Sequence, residues 1–204
     1  MVMDQKILSH FQQRDEIIFK AIPLIEPFTL EKSDNVFFSL VESIISQQLS
    51  IKAGETIVKR FCSLIGETIT PKAVLHLTKE QLRAIGMSWN KAEYVHNLAK
   101  TIEENQLNLD ALDKMADEEV IRELTKIKGI GQWTAEMFLM FTLAREDVFS
   151  YGDVGLQNAI QRLYKLQNKP TKKQMEKLSK PWKPYRTYAA RILWRSLSIE
   201  PQLL

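Results

Sequence analysis

The chain has 204 residues, 45% of them apolar, with 28 basic and 25 acidic side chains and a net charge of +3. That is enough apolar material for one sizeable domain, and one that can divide into two lobes. A single cysteine, Cys62, excludes a disulfide framework and a four-cysteine iron–sulfur cluster, and three scattered histidines offer no metal constellation. No apolar run is long enough to cross a bilayer and no signal peptide is visible, so the protein is expected in the cytoplasm.

Apolar residues recur at i, i+3 and i+4, β-branched alternation is scarce, and the expected fold class is all-α. Asp4 to Gln13 and Asp15 to Leu24 read as two short helices, the second closed by Pro23 and Pro27. Ser33 is a candidate N-cap for a helix whose broad apolar stripe comprises Val36, Phe37, Leu40, Val41, Ile44 and Ile45. Its polar end, Ser46-Gln47-Gln48-Leu49-Ser50, leads into an amphipathic helix from Ile51 to Leu64. Thr70 to Leu77 and Thr78 to Ile85 are short helices, the second with Thr78 and Gln81 as a capping box. Gly86-Met87-Ser88-Trp89-Asn90-Lys91 then turns into a helix ending near Gln106. Ser88 and Lys91 stand at its start, which by itself reads as a solvated helix end. Leu109 to Met115 is another short helix.

Glu118 to Ile127 forms a helix that Lys128-Gly129-Ile130-Gly131 breaks. Two glycines around an isoleucine permit a tight turn with positive φ, the isoleucine plugging the core beneath. A new helix runs from Gln132 to Leu143, so the N–H groups of Ile130, Gly131 and Gln132 lie at its positive end. Such an end binds phosphate, and Lys126 and Lys128 add charge beside it. Met137, Phe138, Leu139, Met140, Phe141 and Leu143 leave this helix almost no polar face, which predicts burial. Trp133 sits on its first turn, where core packing is the plainer reading.

The helix from Gln132 to Leu143 is about 18 Å long at 1.5 Å per residue. The connector Ala144 to Gly152 can span roughly 30 Å when extended, long enough to bring Asp153 back to the end where Trp133 lies. Asp153 also opens a helical run (Val154, Leu156, Ile160, Leu163), and as an N-cap it stabilises that run by about 1 kcal/mol. Thr171 caps a lysine-rich helix, read as a solvated charged face. Trp182-Lys183-Pro184-Tyr185-Arg186-Thr187-Tyr188-Ala189 opens the last helix, on which Arg191 and Arg195 fall at i, i+4 as a candidate phosphate stripe.

The stretch L-T-K-I-K-G-I-G-Q-W-T-A-E, followed 20 positions after Trp133 by Asp153, resembles the helix-hairpin-helix (HhH-GPD) DNA glycosylase superfamily. Its nearest likeness there is to the 3-methyladenine DNA glycosylase II, or AlkA-like, branch. G-M-S-x-x-K-A-E and W-K-P-x-R-x-Y-A resemble stretches of the same branch, and together they cover roughly Ser33 to Ser198. The resemblance implies two helical lobes, one about 33–150 and the other about 1–32 plus 151–204, with the active-site cleft between them, and no extra N-terminal domain of the kind longer members carry. It implies that Asp153 is catalytic and that Trp133, Gln47, Trp194 and Tyr151 wall the base pocket. Lys126, Lys128, Gly129, Ile130 and Gly131 would hold DNA phosphate, with a Na+ or K+ ion at the hairpin as the sole cofactor and no iron–sulfur cluster. Gln48 would wedge into the duplex, and Ser88 and Lys91 would touch its backbone.

The slot two after the second glycine carries a Schiff-base lysine in the bifunctional branches; here it is Trp133, which argues against lyase activity. Where some relatives have two adjacent aspartates, this chain has Gly152-Asp153. The implied protein is a monomer acting on double-stranded DNA with damaged bases: a monofunctional glycosylase releasing alkylated purines. The alternatives are a glycosylase of the same fold for oxidised or deaminated bases, or a non-catalytic module that binds DNA or abasic sites.

Overall fold

The computed structural model describes residues 3–200, and among these every regular element is helical. The chain divides into two compact units, one of residues 32–143 and one of residues 1–31 with 144–204.

In the 32–143 unit, helix α3 (Val36–Ser46) forms the centre, packing on α4 (Ile51–Ile65), α7 (Trp89–Glu103) and α10 (Gln132–Phe141). Its stripe of Phe37, Leu40, Val41, Ile44 and Ile45 is buried, as the 3.6-residue period requires. The cap is Asn35, whose Oδ1 accepts from Phe38 N at 2.8 Å, rather than Ser33. Ser33 instead accepts a bond from the Ser39 hydroxyl at 2.8 Å, one turn off the predicted start. Two short helices, α5 (Pro71–Leu75) and α6 (Lys79–Ala84), lie against α7, and the capping box of Thr78 and Gln81 is present. After α8 (Leu109–Leu112), helix α9 (Asp117–Leu124) packs on α10. Residues Thr134 to Met140 of α10 are buried, but Phe141, expected in the core, is exposed at the helix end.

The other unit begins with α1 (Gln5–Arg14) and α2 (Glu16–Ala21) and resumes with α11 (Val154–Leu163), α12 (Lys172–Ser179) and α13 (Arg186–Ser196). Here α11 packs on α13, and α13 on α2. Asp15 ties the early and late parts of the unit together. Its Oδ1 caps α2, while its Oδ2 accepts the Tyr164 hydroxyl at 2.5 Å and the Trp182 indole N–H at 2.7 Å. Burial, then the Asp15 charge, pushes the Tyr164 phenol far above its ordinary pKa, so it stays a donor. Arg191 and Arg195 do not form a phosphate stripe. Both lie over the Phe28 ring, at 4.5 and 4.8 Å from its centroid, and they donate to the carbonyls of Thr29 and Glu26. They clamp the 26–29 segment to α13.

Candidate active site and nucleic-acid interface

The hairpin joins α9 to α10. Ile127 and Ile130 point inward and are buried. Only Gly129 takes positive φ, at +105°, and a Cβ there would lie 2.2 Å from Tyr94 Cγ, so glycine is required twice over. Gly131 has φ −92° and needs no glycine for its backbone. A Cβ at Gly131 would meet nothing within 4 Å, so what its hydrogen preserves is open space over the α10 N-terminus. Of the three N–H groups expected there, that of Ile130 is taken, donating to Ile127 O at 3.0 Å. Those of Gly131 and Gln132 fall in the first turn, where no intrahelical acceptor exists.

Lys126 and Lys128 flank the turn, but each is already in an ion pair. Lys126 meets Glu123 at 2.6 Å and Lys128 meets Glu93 at 2.7 Å. The Glu93 partner, through its hydrogen bond and charge, raises the Lys128 pKa above the usual lysine value. Both lysines are exposed and their glutamates half-buried, and such surface pairs are weak enough to exchange for another anion.

Gln47 directs its amide at the hairpin, donating to Gly129 O at 2.9 Å and to Thr134 Oγ1 at 3.1 Å. Gln48 follows with φ +56°, a left-handed conformation that costs a side-chain-bearing residue about 1 kcal/mol, and its side chain is exposed. The turn is secured by Lys91, whose ammonium donates to Ile45 O at 2.8 Å and Gln47 O at 2.6 Å. Lys91, expected to reach DNA phosphate, is thus committed to the carbonyl end of α3; burial lowers its pKa. Ser88 is exposed and caps α7 by accepting from Lys91 N at 3.2 Å. Gln47, Gln48, Tyr94, Trp133, Thr134 and the hairpin line one recess of about 530 Å³, in which Trp133 is 44% exposed. Trp133 is therefore not a core residue.

Asp153 belongs to the other unit and is 9% exposed. Its Oδ1 accepts the Leu156 N–H at 2.7 Å, the expected N-cap of α11, and the Trp194 indole N–H at 2.9 Å. These two N–H donors orient the carboxylate. Gly155 makes room for this: a Cβ there would stand 3.0 Å from Asp153 Oδ1 and 3.1 Å from Trp194 Nε1. Tyr151 turns its hydroxyl to Ser179 at 3.1 Å and to Arg186 at 3.3 Å.

The connector leading to Asp153 is held by residues to which sequence reasoning gave no role. The Arg186 guanidinium grips the Asp147 carboxylate at 2.7 and 3.0 Å and the Asp147 carbonyl at 2.8 Å. Burial opposes the Arg186 charge, and its bonds to Asp147 and Tyr151 more than offset this. Thr187 donates to Arg145 O at 2.6 Å and accepts from Val148 N at 3.0 Å. Both residues stand in W-K-P-x-R-x-Y-A, so the motif was visible while its task was not.

Two constructions therefore coexist in one chain: a glycine turn with an open helix N-terminus, and a buried, oriented aspartate heading a helix. Residues 41–184 match the model of the HhH-GPD superfamily of base excision DNA repair proteins. The chain belongs to that superfamily. Among its relatives is a putative DNA-3-methyladenine glycosylase, YfjP, of Bacillus subtilis, 37% identical over 95% of this chain and 69% of its own length. The crystal structure of a Bacillus halodurans DNA-3-methyladenine glycosidase superposes with TM-score 0.83 at 38% identity, over 97% of this chain and 92% of the other. Schizosaccharomyces pombe 3-methyladenine DNA glycosylase Mag1, solved with abasic DNA, gives TM-score 0.84 at 30% identity, over 97% and 98%. Among the described residues no group of His, Cys, Asp and Glu side chains could hold a metal ion, and no helix is long and apolar enough to cross a membrane.

Proposed function

We propose that the protein is a monofunctional DNA glycosylase that releases alkylated purines, with Asp153 as its catalytic carboxylate. The observation that carries this reading is the Asp153 corner. A purely structural N-cap does not need a second donor from a tryptophan and a glycine kept small beside it, yet Asp153 has both.

A base within a duplex hides its glycosidic bond, so the nucleotide has to swing out, at a cost of a few kcal/mol. The α10 N-terminus would hold a backbone phosphate through the Gly131 and Gln132 N–H groups, with Lys126 and Lys128 exchanging their glutamates for it. Gln48, exposed on its left-handed turn, would enter the gap in the duplex. A Na+ or K+ ion at the hairpin would add one positive charge beside the phosphate. Its ligands would be backbone carbonyls such as Ile127 O and Gly129 O, each of which accepts one hydrogen bond here and retains a second lone pair.

A purine methylated at N3 or N7 carries positive charge. When its glycosidic bond breaks, the bonding electron pair passes to the base, which leaves neutral without a strong general acid. An aromatic wall favours such a cation by roughly 0.5–2 kcal/mol per good contact, the role assigned to Trp133. The Asp153 carboxylate would stabilise the oxocarbenium-like sugar and take the proton of the water that adds to the anomeric carbon. The products are a free base and an abasic site. Trp133 has no amine, so no Schiff base forms and the strand is not cut. Tyr151, whose hydroxyl is engaged with Ser179 and Arg186, would offer only its ring to the pocket.

Asp153→Asn is the deciding experiment. Base release from methylated DNA should fall by at least 10³-fold while binding to abasic DNA persists; excision at the normal rate would falsify the assignment. Parallel assays on uracil- and 8-oxoguanine-containing duplexes should show little or no release.

A further inference from the structure

Where the positive charge of this chain lies is not where its hairpin lies. Between residues 165 and 183 there are seven lysines and one carboxylate, Glu176, a balance of +6, whereas the whole chain carries +3. The remaining residues, hairpin included, are therefore net negative. All seven lysines are exposed. Among the described residues only Lys172 approaches a carboxylate, Glu176 at 4.0 Å, in contrast to the tight pairs of Lys126 and Lys128 at the hairpin.

The charge is also ordered. Lys173, Lys177 and the following Lys180 are spaced i, i+4, i+7, so they project from one face over roughly 10 Å. The opposite side of α12 is fixed to the protein by buried Met175 and Ser179. A rigid row of unneutralised ammonium groups suits a polyanion of regular charge spacing. The exposed face of α12 offers no apolar side chain to insert into a bilayer, which argues against a membrane surface.

We infer that the α12 lysine face is a second DNA-binding surface, contacting duplex backbone without regard to sequence or lesion and keeping the protein on DNA between damaged sites. This rests on the reading of the protein as an enzyme acting on DNA. A Lys173→Gln/Lys177→Gln/Lys180→Gln variant tests it, with binding to an undamaged duplex measured over a salt series. Three lost phosphate contacts should lower the slope of log K against log salt by about 2.7 and weaken binding about 10- to 100-fold near 0.1 M salt. Single-turnover base release at saturating methylated DNA should be unchanged. An unaltered salt slope overturns the inference, as does a loss confined to vesicles containing phosphatidylserine. If the unmodified protein has no affinity for duplex DNA and releases no base, the glycosylase reading falls and this inference with it; normal release by a variant with an unchanged slope removes the inference alone.

Discussion

The hairpin and the Asp153 corner handle charge by opposite means. At the hairpin backbone N–H donors lie under open space, and the nearby lysines are exposed and already paired. At Asp153 the charge belongs to a side chain, is nearly buried, and is aimed by an indole and a helix N–H. Under the proposed function the difference matches the demands on each: a surface that is to grip and release phosphate is served by weak, hydrated contacts, and a carboxylate that is to meet one sugar atom is served by a fixed direction.

Three substitutions sharpen the contrast. The largest effect is expected at Gly129, where alanine would be strained in φ and would drive a Cβ into the Tyr94 ring. Gly129→Ala should destabilise by about 3 kcal/mol or more, seen as a lower midpoint in chemical denaturation. Retention of the normal midpoint would mean that the turn relaxes freely and is no fixed cradle.

Next comes Trp194→Phe, which removes the 2.9 Å bond to Asp153 while keeping an aromatic ring. A hydrogen bond to a charged group contributes about 1.5–3 kcal/mol, so kcat should fall roughly 10- to 100-fold with KM little changed. A rise in KM alone would make Trp194 a base-binding wall instead of the residue that orients the carboxylate.

The smallest effect on the fold is expected at Gly131, where alanine meets no atom. Gly131→Ala should cost no more than about 1 kcal/mol of stability, as a weaker N-cap. Its methyl group would stand in the space a phosphate needs, so DNA affinity should drop several-fold. Unchanged affinity would show that phosphate does not approach there.

Much of this was legible in the chain. The glycine turn, the apolar helix after it, the capping box of Thr78 with Gln81 and the cap at Asp153 all depend on neighbours within four residues, and local pattern reports such neighbours. What local pattern did not report were partners distant in sequence. Lys91 looked like a free cation because nothing near it in sequence names the α3 carbonyls 44 and 46 positions away. Arg191 and Arg195 looked like a surface stripe because their periodicity says nothing of Phe28, more than 160 residues earlier. Arg186 and Thr187 were seen but given no task, since their partners lie in an irregular connector without periodicity.

The sequence alone determined the helices, the hairpin and the residue heading α11, because helix periodicity, glycine conformation and capping are short-range and are encoded within a turn or two. Only the tertiary structure decided which charges are available. Whether an ammonium or a carboxylate faces solvent, a carbonyl or a counter-ion depends on which distant elements pack around it. For that reason the lysines at the hairpin are paired, and Asp153 takes its direction from a tryptophan 41 residues further along.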